Sequence, residues 1–298
     1  MTDPFFIVGC PRSGTTLLSV LLDRHTRLCV PPETGFFAEV APTLPSPDDE
    51  SLLATLRGWP RLPELHLTPE AVLRRLSGRQ SSIAEVLTAI LALYAEAAGK
   101  ARCGERTPQH LLDVPIIFQH FPHARIVCLV RDGRDVALSL RAMPWGPPTL
   151  AAAAELWNTF VRLGDGFAQQ HPDQFRFVYY EKLVTQPEQV LAEVMTFLGE
   201  RFEPRQMEPH RSSAAVLARS FAWKGQALGP IDPARIGKRR REATDEDNAL
   251  LDGVLSDELR RHDYTSGSTA SAAGAASTAG AISLQSAWPQ AGARGPHR

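Results

Sequence analysis

The sequence predicts an α/β fold, of the P-loop type, with three layers (α/β/α) around a central, mostly parallel sheet. Three short apolar runs, rich in aromatic or β-branched residues, have the length of buried strands and lie at residues 5–8, 125–130 and 175–180. Helical patterns, with apolar residues three or four positions apart, separate or follow them at residues 83–94, 156–163 and 190–198. Strands that alternate with helices in this way are typical of parallel sheets, which bind ligands at the carboxyl ends of their strands.

Composition and charge exclude several classes of protein. The 298 residues carry 32 basic and 33 acidic side chains, a net charge of −1, so we expect no binding of nucleic acid through bulk charge. The longest apolar stretch, residues 83–98, contains Glu85 and Glu96, so we expect no membrane span. The N-terminus lacks the basic segment of a secretory signal, and the four cysteines form no C-x-x-C pair, which favours reduced thiols in a cytoplasmic protein.

The chain divides into a globular domain, residues 1–264, and a tail. Residues 265–298 are dominated by Ala, Ser and Gly, and we expect them to form a flexible tail. Two Pro-rich segments, residues 36–80 and 143–150, are interpreted as irregular structure. The helix near residue 190 is predicted to begin with a capping box made by Thr185 and Glu188 and to stop at Gly199.

The loop after the first strand, G-C-P-R-S-G-T-T, almost fits the phosphate loop G-x-x-x-x-G-K-[ST]. Backbone N–H groups and the start of a helix converge there and would hold an oxyanion. Thr15 replaces the lysine that a triphosphate needs, so a cofactor with one 5′ phosphate and a less charged transferable group suits the loop better. The alternative is a glycine-rich turn that binds nothing. The candidate binding residues are Arg12, Ser13, Gly14, Thr15 and Thr16.

The second apolar strand is followed by a basic and acidic loop, R-D-G-R-D-V-A-L-S, which continues as a helix. Arg131 stands at the strand end and could bind a phosphate, to which Ser139 could add a hydroxyl. Asp135 and Ser139 are one helical turn apart and share a face. The alternative is an Arg–Asp ion-pair network that only stabilises the turn.

Together these two loops resemble those of the sulfotransferases that use 3′-phosphoadenosine 5′-phosphosulfate (PAPS), especially the bacterial enzymes and the tyrosylprotein branch. Residues 9–18 match the family motif G-x-P-R-S-G-T-T-L-L, which binds the 5′-phosphosulfate. Residues 131–139 match R-D-x-R-x-x-x-x-S, which binds the 3′ phosphate. The resemblance covers roughly residues 5–241, and both motifs follow a predicted strand, which makes the pair more specific than either motif alone.

The resemblance implies roles for further residues. Glu33 falls where the tyrosylprotein branch has its catalytic glutamate, and Tyr180 matches a tyrosine at the adenine-nucleotide site. Lys238, in a late loop of residues 230–239, matches a lysine that binds the cofactor. The chain departs from the family at E-K-[TD]-P, where Arg106 replaces the catalytic lysine. An arginine keeps the charge but cannot give up a proton, and nearby His110 could supply an acid instead.

The implied activity is in-line transfer of a sulfuryl group from PAPS to an acceptor hydroxyl or amine, which releases 3′-phosphoadenosine 5′-phosphate (PAP). Glu33 would act as general base, and Arg12 and Arg106 would stabilise charge, with no metal ion. The alternatives are a P-loop nucleotide kinase or NTPase with a degenerate lysine, and a nucleotide-binding protein without activity. Sugars, lipids, phenols, peptides and secondary metabolites all fit the acceptor role, and nothing in the sequence indicates an oligomeric state.

Overall fold

The computed structural model describes residues 3–76, 81–211 and 229–264, without the side chains of Lys238 and Arg239. The predicted tail, residues 265–298, lies outside the described residues. Within these three ranges, none of the helices combines the length and the apolar character needed to cross a bilayer.

The sheets are entirely parallel in the part of the chain that the structure describes. The strands are β1 (Phe5–Gly9), β2 (Leu28–Cys29), β3 (Arg102–Cys103), β4 (Glu105–Arg106), β5 (Arg125–Val130) and β6 (Phe175–Tyr179). The central sheet has the order β4-β1-β5-β6, and β2 pairs with β3 in a separate small sheet. All three strands predicted from apolar runs are therefore present, and they are neighbours in one sheet.

Helices cover both faces of the central sheet. They are α1 (Thr15–Asp23), α2 (Phe36–Glu39), α3 (Asp49–Gly58), α4 (Pro69–Leu76), α5 (Ile83–Ala97), α6 (Val114–His120), α7 (Gly133–Arg141), α8 (Leu150–Gln170), α9 (Tyr180–Thr185), α10 (Pro187–Leu198), α11 (Lys238–Glu242) and α12 (Asp245–Arg261). Alternate residues of β1 enter opposite cores: Phe6 belongs to the cluster that includes residues of α5, α7, α8 and α12, and Ile7 to the cluster that includes residues of α1 and α10. The predicted three-layer α/β/α fold is confirmed.

The pairing of β1 with β5 decides where the two predicted loops lie. Its register runs from Phe5 opposite Arg125 to Gly9 opposite Leu129, so both strands end side by side. Gly9 has a φ of 140°, and a Cβ on it would lie 2.4 Å from the carbonyl oxygen of Leu129. The chain can therefore leave β1 against its neighbour only because this residue has no side chain.

The interpretation of residues 36–80 as irregular was wrong, because α2, α3 and α4 lie within this segment. Asp48 caps α3 by accepting a hydrogen bond from the Ser51 amide (2.7 Å). Pro69 occupies the first position of α4, where its missing N–H costs nothing. Pro69 therefore begins a helix rather than interrupting one.

The predicted capping box of α10 was also wrong. The N-cap is Gln186, and Pro187 begins the helix, so Thr185 lies one position too early. The Thr185 hydroxyl instead donates to the Glu181 carbonyl (2.7 Å) in α9. The predicted end at Gly199 is confirmed, with a φ of 77° in the left-handed region.

We expect Gly9→Ala to lower the free energy of unfolding by about 2–4 kcal/mol, because it combines a disfavoured φ with a backbone clash. The matched control is Gly253→Ala in α12, where an added Cβ meets open space and should raise stability by about 0.5–1 kcal/mol. Urea unfolding of the two variants and the parent measures both effects. Equal stabilities for Gly9→Ala and the parent would contradict the close approach of β1 to β5.

Candidate functional site

The loop between β1 and α1 has the geometry of an anion cradle. Gly14, with a φ of 107°, precedes α1, and no side chain among the described residues caps the helix start. Arg12 also adopts a positive φ, 74°, which is uncommon for a residue with a side chain. Ser13 is fully buried, and its hydroxyl finds no hydrogen-bond partner within the described ranges. Backbone amides and this hydroxyl would both be satisfied by a bound oxyanion.

The two loops predicted from the sequence meet in the structure. The Arg12 Nε donates to the Ser139 hydroxyl of α7 at 3.1 Å, across 127 residues of chain. Tyr180, at the start of α9, lies against Gly14, where a Cβ would come within 2.5 Å of its ring. The Arg131 guanidinium lies over the same ring, 4.5 Å from its centroid. The structure thus brings these predicted binding residues to one continuous surface.

Arg131 combines the two interpretations that the sequence left open. Its Nη2 donates to the Asp135 carboxylate (2.7 Å) and to the Arg235 carbonyl (3.1 Å). Its Nε is buried and has no partner among the described residues, so a ligand could accept from this N–H group. Arg131 is therefore both a member of an ion pair and a candidate phosphate ligand.

Asp135 has a role that the sequence did not suggest. Its buried carboxylate accepts from the backbone N–H groups of Gly237 (2.8 Å) and Arg240 (3.1 Å). These bonds hold the late segment against α7, next to Arg131. Lys238 is the first residue of α11, directly after Gly237, but its predicted contact lies outside the described side chains.

A second polar network fixes the loop after β5. Asp132 caps α7 by accepting from the Arg134 amide (2.9 Å) and forms an ion pair with its guanidinium (2.7 Å). The Asp132 amide donates to Glu181 (3.1 Å), which also accepts from the Tyr264 hydroxyl (2.6 Å). Burial raises the pKa of Glu181 above its ordinary value, although these hydrogen bonds oppose the rise. The Trp157 indole N–H binds the Arg131 carbonyl (3.0 Å), so the strand tip is held from several sides.

Glu33 and Arg106, the two catalytic candidates, form an ion pair. The Arg106 Nη1 lies 2.7 Å from the Glu33 Oε1 and also donates to the Thr16 hydroxyl (3.3 Å), at the start of α1. The Arg106 side chain is 0% exposed, whereas that of Glu33 is 21% exposed. The Arg106 Nε and Nη2 are buried without partners in the described part of the chain. A carboxylate and two available guanidinium donors therefore lie next to the anion cradle.

His110, the sequence's candidate for an acid, is buried and faces protein groups with both ring nitrogens. It is 1% exposed, and its Nδ1 lies 2.7 Å from the Glu105 carboxylate. The Phe37 amide donates to its Nε2 (3.4 Å), so both ring nitrogens face protein groups. His110 is part of the buried support beneath the site, as is Glu105, whose importance the sequence did not reveal.

Comparisons with known proteins show the family and the fold. The model of the sulfotransferase family matches residues 4–204. A protein-tyrosine sulfotransferase of Drosophila melanogaster is 27% identical over 65% of this chain and 37% of its own length. A sulfotransferase domain from the olefin synthase of Synechococcus PCC 7002 shares the fold, with a TM-score of 0.61 and 24% identity over 86% of this chain and 96% of that one. A mouse sulfotransferase complexed with PAP covers 88% of this chain and 85% of its own, with a TM-score of 0.51 and 15% identity.

We expect Ser13→Ala to leave stability unchanged or to raise it by about 1 kcal/mol, because it removes a buried hydroxyl without a partner. The same change should weaken binding of PAP about tenfold or more, since a hydrogen bond to an anion is lost. Calorimetry with PAP and thermal unfolding measure the two effects.

The matched control is Ser19→Ala in α1, whose buried hydroxyl already donates to the Thr16 carbonyl (2.9 Å). It should lower stability slightly and leave PAP binding near that of the parent. A Ser13→Ala variant that loses stability but binds PAP like the parent would contradict the cradle.

Proposed function

The chain belongs to the sulfotransferase family, and from this premise we propose that it transfers a sulfuryl group from PAPS to an acceptor hydroxyl or amine. The observation that carries this proposal is the contact between Arg12 and Ser139, which joins the two anion loops at neighbouring strand ends. A donor with anionic groups at both ends of its adenosine needs two such loops side by side. The chain spans 37% of the length of its Drosophila relative, so the proposal concerns the activity of this domain.

The residues present fit PAPS. The buried Ser13 hydroxyl and the buried Nε of Arg131, each without a described partner, are donors to which a phosphate oxygen would supply the acceptor. In the proposal, Arg12, Ser13, Gly14, Thr15 and Thr16 hold the 5′-phosphosulfate. Arg131 and Ser139 hold the 3′ phosphate, with Tyr180 and Lys238 beside the nucleotide.

In the proposal, Glu33 accepts the proton and Arg106 supplies the positive charge that the reaction needs. When bound, PAPS would supply the sulfuryl group, and PAP would leave as the bond between sulfur and the bridging phosphate oxygen breaks. Glu33 would take the proton of the acceptor as the acceptor oxygen or nitrogen bonds to sulfur in line. Arg106 holds the Glu33 carboxylate, and in the proposal its two other nitrogens, Nε and Nη2, supply N–H donors to the developing negative charge. Because an arginine keeps its proton, Arg106 contributes charge and position rather than acid catalysis.

Incubation with ³⁵S-labelled PAPS and a panel of acceptors tests the proposal. The panel holds a sugar, a lipid, a phenol and a tyrosine peptide, and both label transfer and PAP release are followed. Transfer to one acceptor class with equimolar PAP supports the proposal. Tight PAP binding without any transfer would support the non-catalytic alternative, and hydrolysis of a nucleoside triphosphate would support the NTPase.

We expect Glu33→Gln to lower turnover at least about a hundredfold, because an amide cannot take the acceptor proton. Binding of PAP should change little. The control is Glu39→Gln, which removes a nearby carboxylate paired with Arg61 (2.7 Å) and should keep most of the turnover. Steady-state kinetics measures the turnover and calorimetry measures PAP binding. Equal turnover in Glu33→Gln and the parent would contradict the role of Glu33 as general base.

We expect Arg131→Ala to weaken binding of PAP at least about tenfold more than binding of AMP, since only PAP carries a 3′ phosphate. Arg141→Ala is the control, because Arg141 ends α7, the helix that follows Arg131, and pairs with Asp247 (2.9 Å). It should leave the ratio of the two dissociation constants unchanged. Calorimetry that shows equal losses for both nucleotides in Arg131→Ala would reject its assignment to the 3′ phosphate.

A further inference from the structure

We propose that Glu105 is a positioning residue, which sets Glu33 and Arg106 in their relative geometry without touching a substrate itself. Its catalytic consequence rests on the proposed function, but the positioning itself is a property of the fold. The argument depends on three observations: the hydrogen bonds that converge on Glu105, the two chain segments that these bonds join, and the burial of the carboxylate.

Three side chains donate to the Glu105 carboxylate. The hydroxyl groups of Thr34 and Thr107 both bind its Oε1 at 2.7 Å, and the His110 Nδ1 binds its Oε2 at 2.7 Å. Because the Phe37 amide points at the His110 Nε2, that nitrogen accepts and Nδ1 carries the proton. All the described contacts of the carboxylate are thus within the protein interior.

The three donors come from the two segments that carry the catalytic candidates. Thr34 directly follows Glu33 in the chain, and Thr107 directly follows Arg106. The backbone of the first segment is tied in as well, since the Gly35 amide donates to the Thr107 hydroxyl (3.0 Å). Glu105 therefore lies at the centre of a hydrogen-bond network that connects the two segments. The network reaches each segment at the threonine next to a member of the ion pair.

The position of Glu105 on β4 explains why it can do this. Successive side chains of a strand point to opposite faces, so Glu105 and Arg106 face different sides of the sheet. Arg106 points to Glu33 and Thr16, and Glu105 points to the threonines and His110. The strand β4 thus presents the Arg106 guanidinium to the site on one face. On its other face, β4 is held by the hydrogen bonds of Glu105.

Burying the Glu105 carboxylate costs desolvation free energy, which a purely structural role does not require. Both Glu105 and its neighbour Arg106 are 0% exposed. Burial by itself raises the pKa of Glu105, but His110 and the hydroxyl groups of Thr34 and Thr107 outweigh it and hold that pKa below its ordinary value. A well-packed apolar residue would serve stability as well as a buried charge does. What the carboxylate adds is a fixed geometry for its three donors, because a hydrogen bond depends on both distance and angle.

Glu105→Gln tests the proposal with little change of shape. One oxygen remains for the threonines, but the new N–H₂ group faces the Nδ1–H of His110, so a hydrogen bond is replaced by a clash of donors. We expect kcat with the acceptor found in the panel to fall about 10–100-fold, because small misplacements of reacting groups cost that much. The dissociation constant of PAP should stay within about twofold of the parent value, since the hydrogen bonds described for the Glu105 carboxylate go to Thr34, Thr107 and His110 and not to the cradle.

Amide hydrogen exchange measures the positioning independently of activity. The Gly35 and Phe37 amides donate to Thr107 and His110, so both should exchange at least about tenfold faster in Glu105→Gln. The Leu18 amide, which donates to the Gly14 carbonyl in α1, serves as the internal control and should keep its parent rate.

Thr107→Val and Thr107→Ser form a matched pair that decides the question even if Glu105→Gln fails to fold. Valine keeps the shape and removes the hydroxyl that binds Glu105 and Gly35, whereas serine keeps the hydroxyl. We expect Thr107→Val to lower kcat and speed exchange at Gly35, and Thr107→Ser to restore both to near parent values.

The outcomes separate this proposal from the proposed function. Parent values of kcat and of Gly35 exchange in Glu105→Gln, or in Thr107→Val, would overturn the positioning role. Faster exchange with an unchanged kcat would show a structural role alone and would also overturn it. If the parent neither binds PAP nor transfers label, the proposed function fails, while the exchange rates still show whether Glu105 holds the two segments together.

Discussion

The parallel pairing of β1 with β5 is the constraint on which the site depends. Because these strands end together, the turn into α1 and the turn into α7 open on the same edge of the sheet, and Arg12 can reach Ser139 across 127 residues of chain. Gly9 permits this approach, since any side chain there would meet the carbonyl of Leu129. Two candidate anion-binding turns whose separation is set by the spacing of neighbouring strands suit a ligand of fixed length better than two independent loops would.

The site keeps polar groups in states that stability alone does not favour. A buried hydroxyl at Ser13, two buried donors on Arg106 and one on Arg131 have no described partners, and each costs free energy in the folded protein without ligand. The supporting groups, in contrast, are well satisfied: Asp135, Glu181 and Glu105 each accept several hydrogen bonds. A preorganised anion site requires donors without partners, held in place by supporting groups whose own hydrogen bonds are formed. Such donors need no reorientation when an anion binds.

The sequence predicts the sheet and both loops because their signals are local: an apolar run, a glycine turn and a helix start lie within about fifteen residues of each other. Contacts over long separations gave no such signal. Glu33 meets Arg106 across 73 residues, and Asp135 meets Gly237 across 102, and neither distance follows from periodicity. Local rules also failed where two of them competed. Thr185 is a good cap by composition, but Pro187 fixes the first turn of α10 and leaves Gln186 at the cap.

The arginine at position 106 changes what its surroundings must provide. A lysine is a point charge that can turn towards any acceptor, whereas a guanidinium is planar and directs its donors in fixed directions. In this chain one nitrogen of Arg106 serves Glu33 and Thr16, and two others have no described partner. The strength of the hydrogen bonds that a guanidinium makes depends on its orientation. The strand β4 and the hydrogen bonds around Glu105 fix that orientation. The arginine at position 106 and the buried Glu105 carboxylate are therefore best understood together: the guanidinium has directional donors, and Glu105 helps to fix their orientation.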